Sequence, residues 1–430
     1  MSELAIFGGD PVIPEEPRRY RSMGDAEARA VAEVMASDCL SGFYGSPGDE
    51  YWGGPRVQAF EEAWRERYGV KHTVSVNSAT SGLFAAVGAV GVSPGDEVIV
   101  PAWTMSATAM APLVYGGIPV FADIEDETFG LDPDMVRAAI TDRTSAIIAV
   151  NLFGHPARLE ELRAVADEHG LSLIEDNAQA PLGATATGLA GTIGHIGVFS
   201  FNFHKHIHTG EGGMCVTDID DLAKRLAMIR NHGENATGWL GVDDLVNMVG
   251  FNYRMTELSA AVGLMQLENV DAHVEPRERF AEILSEGSRN LKGLKVPVVR
   301  DGCRHNYYCW CATYNAGEVG VERDLFRDAL IAEGVPCFTG YVEPLYRLPT
   351  FQRRIAFGRD GYPFTLGAPD YTKVHCAVTE RLHRDEALLI EVCSLEPSEE
   401  LALRMGEAIR KVHRNAGQLA SRAGELVSAS

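Results

Sequence analysis

The chain has 430 residues, 46% hydrophobic and 23% charged, which is room for two globular domains and not the composition of a disordered protein. A formal charge of −22 at pH 7 excludes a surface built for nucleic acid or anionic lipid, so any phosphate has to be held locally. The first residues lack a basic targeting region, and the apolar stretch 83–92 falls short of the ~20 residues a membrane span needs, so the cytoplasm is the expected compartment.

Val57, Phe60 and Trp64 recur at helical spacing and predict an amphipathic helix. Short β-branched runs follow at 73–76, 97–100, 118–122, 146–150, 171–174, 196–201 and 214–217, with helical patterns between them. That alternation predicts βαβ units: an α/β, three-layer α/β/α architecture with a mostly parallel central sheet. One intervening helix spans 159–169 and stops at Gly170. A further helix spans 255–267, after which the pattern loosens into helix, strands and helices, with one helix at 321–333 and a last one opened by Pro397. We therefore expect a large domain over 1–270, including an N-terminal segment, and a smaller C-terminal α+β domain over 271–430, whose tail after Ala416 frays. Eight scattered cysteines form no metal-type pair and read as reduced, buried thiols; Cys309 and Cys311 flank Trp310 as one face of a strand.

Three places carry chemistry. Strand 73–76 runs into Asn77-Ser78-Ala79-Thr80-Ser81-Gly82 ahead of an apolar helix, so backbone N–H groups and hydroxyls can meet an anion at a helix N-terminus. Plain N-capping by Ser78 or Thr80 explains the same residues. Strand 171–174 delivers Glu175-Asp176-Asn177-Ala178-Gln179 at its carboxyl end, where ligands of open α/β sheets gather. Asp176 can hold a proton on a pyridine nitrogen and Gln179 can reach a phenolic oxygen, although Asp176 can equally cap the next helix. Strand 196–201 ends near Ser200, and Lys205 follows in a short loop before glycines 210, 212 and 213. Desolvation there lowers a lysine's pKa, and a neutral amine forms a Schiff base with an aldehyde. Together these residues suit pyridoxal phosphate. His204, His206 and His208 invite a metal reading, but no clustered Cys, Asp or Glu completes a site, so no metal is expected. The chain shows no dinucleotide glycine fingerprint and no basic recognition helix, against a nicotinamide enzyme or a DNA-binding regulator.

With these motifs in place, the sequence resembles the DegT family of sugar and aminocyclitol aminotransferases, within the aspartate-aminotransferase fold type. The resemblance runs through Gly95-Asp96-Glu97, Ile174-Glu175-Asp176-Asn177-Ala178-Gln179, Thr209-Gly210-Glu211-Gly212-Gly213, Arg230-Asn231-His232-Gly233 and Gly250-Phe251-Asn252-Tyr253-Arg254-Met255. It implies Lys205 as the lysine that carries the cofactor and shuttles a proton, Asp176 as partner of the ring nitrogen, and Gln179 beside the ring hydroxyl. It places Ser78, Ala79, Thr80 and Ser200 at the cofactor phosphate and Trp103 over the ring face, with Met105 the other candidate there. Asn252 would reach the phosphate of a neighbouring subunit, which implies a homodimer with shared active sites. The implied reaction moves an amino group from glutamate or glutamine to a keto sugar, often nucleotide-linked, or a keto cyclitol in two ping-pong half reactions. A lyase or dehydratase on the same fold is the alternative, although dehydrating relatives replace the lysine with histidine. Ala79, Asn177, the histidines around Lys205 and the insert-like segment 45–54 depart from the family pattern and bear on the acceptor.

Overall fold

A computed structural model of the chain describes residues 3–424; Met1, Ser2 and positions 425–430 of the tail lie outside the described residues. Seven strands form the large sheet: β1 (His72–Val76), β2 (Glu97–Pro101), β3 (Ile118–Ala122), β4 (Thr144–Val150), β5 (Ser172–Asp176), β6 (Ile196–Ser200) and β7 (Gly213–Thr217). Their order is β1-β7-β6-β5-β4-β2-β3. β3, β2, β4, β5 and β6 run parallel, and β7 is antiparallel to both neighbours. Each predicted run became a strand because both faces are covered. Val98, Val100, Ile148, Ile174, Ile196 and Val198 face helices Ala79–Ala89 and Asp220–Arg230. The alternate residues Ile99, Ile147, Ala149 and Leu173 face helix Leu159–His169, and Phe199, Met214 and Val216 face helix Pro55–Tyr68. This period-two division makes the three layers. Among the described residues no helix is long and apolar enough to cross a membrane.

Helix Ala79–Ala89 sets the site's position, and its entry from β1 is spatially tight. A Cβ on Gly82 would stand 2.8 Å from Val198 Cγ1, and one on Gly213 would stand 2.8 Å from the Ala79 nitrogen. Glycine at both positions lets the helix N-terminus lie directly against the ends of β6 and β7.

The second sheet is antiparallel, in the order β10-β11-β9-β8, from β8 (Leu294–Lys295), β9 (Trp310–Tyr314), β10 (Phe338–Thr339) and β11 (Ala387–Ile390). Cys309 and Cys311 do share one face, in a core with Trp103 and Phe153, while Trp310 points to the opposite core. None of the eight cysteines is in a disulfide. Helices Val270–Ser288 and Glu399–Arg414 cover the outer face.

Two segments pack differently from their place in the chain. The N-terminal segment, grouped with the large domain by position, packs on the smaller sheet: Leu4 and Ile13 enter its core, and the Glu333 carboxylate accepts the Ala5 and Val12 N–H groups at 3.0 Å. Conversely, Leu345, Tyr346, Phe351, Phe364 and Tyr371 join the core of the large sheet. Apolar complementarity, rather than chain order, decides both placements. Over the described residues the expected fraying after Ala416 also gives way, for helix Ala416–Ser421 buries Leu419 completely, while positions 425–430 of that tail lie outside the described residues.

Candidate active site

The carboxyl ends of β5 and β6 and the N-terminus of helix Ala79–Ala89 converge on a cavity of about 200 Å3. Of the residues singled out in the sequence, Ser78, Ala79, Thr80, Asp176, Gln179, Ser200 and Lys205 line it. Thr104, Met105, Asn202, His204 and Glu211 also line it.

At one end, Ser78 has extended backbone (φ −168°) and its hydroxyl accepts the Ser81 N–H at 3.1 Å. Ser78 is therefore the N-cap, and Ala79 and Thr80, the first helical residues beside it, line the cavity at the positive end of the helix dipole. In β5, neighbouring carboxylates point to opposite faces. Glu175 accepts the N–H groups of Gly191, Ile193 and Gly194 at 2.6–2.8 Å and ties down the next loop. Asp176 turns to the cavity, where the Thr108 hydroxyl donates to its Oδ2 at 2.9 Å and the Ala178 N–H to its Oδ1 at 3.2 Å. Burial pushes the Asp176 carboxyl up from the usual range, against the opposing pull of the Thr108 and Ala178 bonds and of Lys205.

Lys205 stands across the cavity, its Nζ 4.4 Å from the centroid of the Tyr308 ring. Burial pushes its ammonium below the ordinary lysine value, and Asp176 is among the groups that oppose the shift. The side chain keeps some exposure because it borders empty space on two sides, yet the surrounding protein atoms still strip water from the amine.

Gln179 is held from two directions. The Phe153 N–H donates to its Oε1 at 2.7 Å, and its Nε2 donates to the Tyr341 hydroxyl at 3.0 Å. Phe153 and Tyr341 both adopt left-handed backbone, φ 57° and 54°, which costs an aromatic residue about 1–3 kcal/mol apiece. Their rings meet edge to face at 4.9 Å, so the strained pair is braced by its own contact.

Trp103 does not border the cavity. It is fully buried, its indole N–H donates to the carbonyls of Gly340 and Val342 at 3.2 and 3.1 Å, and it pins the end of β2 to the loop after β10. Met105, two residues on, occupies the cavity wall instead. Asn252 also lies outside the cavity of its own chain, exposed, with its Oδ1 accepting Arg254 Nε at 2.7 Å. Asn177 is structural: its amide donates to the carbonyls of Ala180 and Ala190. Segment 45–54 packs on 231–239, where Asn231 binds the carbonyls of Tyr44 and Tyr51. The three histidines separate: His204 borders the cavity with its pKa pushed down to about 4 by burial and then by Lys205, His206 is buried, and His208 receives the Gly210 N–H. Among the described residues no three His, Cys, Asp or Glu side chains cluster as metal ligands. Sequence reasoning gave no site role to Thr108, Tyr308 or Tyr341, which reach Asp176, Lys205 and Gln179 from other segments.

This geometry fits pyridoxal phosphate: an anion cradle, a buried carboxylate and a desolvated lysine share one cavity. Comparison with known proteins agrees. Residues 46–368 match the model of the DegT/DnrJ/EryC1/StrS aminotransferase family. A putative L-glutamine:3-amino-2,3-dideoxy-scyllo-inosose aminotransferase of Streptoalloteichus tenebrarius is 33% identical over 431 aligned positions, covering 97% of this chain and 99% of that protein. GDP-perosamine synthase of Caulobacter vibrioides is 38% identical over 302 positions, 69% of this chain and 78% of that one. The structure of DesI with its TDP-sugar product superposes with a TM-score of 0.80 at 31% identity, covering 98% of each chain. The chain belongs to the DegT/DnrJ/EryC1/StrS aminotransferase family and is an aminotransferase of the pyridoxal-phosphate class.

Proposed function

We propose that the enzyme transfers an amino group from glutamate or glutamine to a ketone of a sugar or cyclitol in two ping-pong half reactions, as a cytoplasmic homodimer. The observation that carries this reading is that Lys205, Asp176, Ser78, Ala79 and Thr80 line one cavity. When bound, pyridoxal phosphate supplies an aldehyde and an electron-withdrawing ring. Lys205 Nζ, whose ammonium form burial disfavours, would be the amine that holds the aldehyde and the base that moves the substrate proton. Asp176 holds the ring-nitrogen proton, and Thr108 orients the carboxylate that does so. Gln179 addresses the ring oxygen from its two-point mount. The helix amides at Ala79 and Thr80, with the Ser78 and Ser200 hydroxyls, receive the phosphate. Met105, on the cavity wall, would pack against the cofactor ring, and Asn252, exposed in its own chain, would serve the phosphate held by the partner subunit.

The relatives support both acceptor classes, since one is named for a GDP-linked sugar and another for an aminocyclitol substrate. The test is an absorbance spectrum of the protein loaded with pyridoxal phosphate, recorded before and after glutamate or glutamine. We expect a visible band that moves to shorter wavelength with one of these donors, and no such band in Lys205→Ala. A wild-type protein that takes up no pyridoxal phosphate would sink the reading.

A further inference from the structure

Lys205 and His204 also border a second, larger cavity of about 460 Å3, which does not include Ser78, Ala79 or Thr80. Arg19, Tyr20, Arg277, Glu391 and Ser394 line it as well. Four arginines of the described chain are buried, and three have a carboxylate beside them: Arg225 with Asp244, Arg230 with Glu61, and Arg323 with Asp324. Arg277 is the exception. It is 1% exposed, its Nη1 and Nη2 donate only to the carbonyls of His273 and Cys393, and its Nε has no partner. The guanidinium lies over the Tyr20 ring at 4.1 Å, which holds its plane without neutralising it. Glu391, the carboxylate of the same cavity, accepts the Tyr308 hydroxyl at 3.1 Å and makes no ion pair with Arg277. Exposed Arg19, beside Tyr20, brings a second cationic side chain to the cavity mouth.

A buried cation without an anion is unfavourable unless one arrives, and a guanidinium suits carboxylate and phosphate oxygens because its planar fork offers parallel N–H groups. We propose that Arg277, assisted by Arg19, is the seat for an oxyanion of the substrate, a carboxylate or a phosphate, and orients the reacting carbon toward Lys205. The proposal rests on Lys205 being the cofactor lysine, and it extends that reading by naming the charge a substrate must carry.

The test uses full-length protein loaded with pyridoxal phosphate and two probes that lack an amine, glutarate and inorganic pyrophosphate, each titrated by calorimetry and by the change in the visible band. We expect saturable binding of one probe, weakened about tenfold or more by Arg277→Gln and partly restored by Arg277→Lys. Glutarate as the responding probe assigns the seat to the amino donor; pyrophosphate assigns it to a phosphorylated acceptor. Arg19→Gln, at a surface position, keeps the test open should Arg277→Gln fail to fold, and is expected to weaken the same probe about threefold. Binding of both probes unchanged in the variants, or binding of neither to wild type, overturns the proposal. Calorimetry on cofactor-free protein separates the two readings, because loss of the Lys205 assignment removes the visible band but leaves anion binding at Arg277 measurable.

Discussion

Lys205 and Lys411 both leave bulk water, and the protein treats them in opposite ways. Lys411, in helix Glu399–Arg414, meets the buried Glu333 carboxylate at 2.8 Å and donates to the Asp10 carbonyl at 2.9 Å. Lys205 receives an aromatic ring and no ion pair; Asp176, the carboxylate across its cavity, is engaged by Thr108 and Ala178. The first arrangement holds a charge in place to join three segments around the smaller sheet. The second discourages the charge and leaves an amine ready to react. A lysine's partners, more than its depth, decide whether it builds or reacts.

The contrast predicts effects of different kinds. The largest is on turnover: Lys205→Ala should lose transamination by several orders of magnitude while its urea unfolding midpoint stays close to wild type. Lys411→Ala should do the reverse. It keeps its turnover when folded and loses about 3–5 kcal/mol in urea denaturation, because Glu333 is left as a buried charge without its cation. Asp176→Asn should retain part of its pyridoxal-phosphate binding and slow the glutamate half reaction roughly a hundredfold, measured by stopped-flow absorbance; an unchanged rate would remove Asp176 from the mechanism.

The smallest effect follows from linkage. The folded protein lowers the Lys205 pKa, so at neutral pH the unfolded chain binds that proton more readily, and stability rises with pH from the lowered value up to that of an ordinary lysine. Cofactor-free Lys205→Met should therefore melt a little above cofactor-free wild type near pH 7, with the gap closing toward the ordinary lysine pKa of about 10.4. A gap that persists or widens there would mean that packing, not proton release, sets the difference.

Much of this site is legible in the amino-acid sequence alone. The seven strands declare themselves as β-branched runs, and the three chemical stretches of the site lie at or just after the ends of β1, β5 and β6, where position along the chain is also position in space. Asp176 against Glu175 is a further case, since strand alternation sends one of two neighbours to the cavity and the other to the opposite layer. Trp103 shows where such reasoning stops. Its ring suits a flat cofactor, but the backbone after β2 turns the indole toward the carbonyls of Gly340 and Val342, more than 200 positions away. Tyr308, Tyr341 and Arg277 stay hidden for the same reason: each matters only because a distant segment packs beside Lys205 or Gln179, and no local pattern records that packing.

The N-terminal segment has a consequence for how the molecule comes into being. Lys411 donates to the carbonyl of Asp10, 401 positions earlier, and Arg404 to that of Val12, 392 positions earlier. During synthesis the large sheet can assemble as its strands emerge, but the core that Leu4 and Ile13 enter is incomplete until helix Glu399–Arg414 leaves the ribosome. At roughly 5–20 residues per second, that leaves an apolar segment waiting on the order of tens of seconds. Because the same segment carries Arg19 and Tyr20 to the larger cavity, the wall of that cavity is among the last parts of the protein to form.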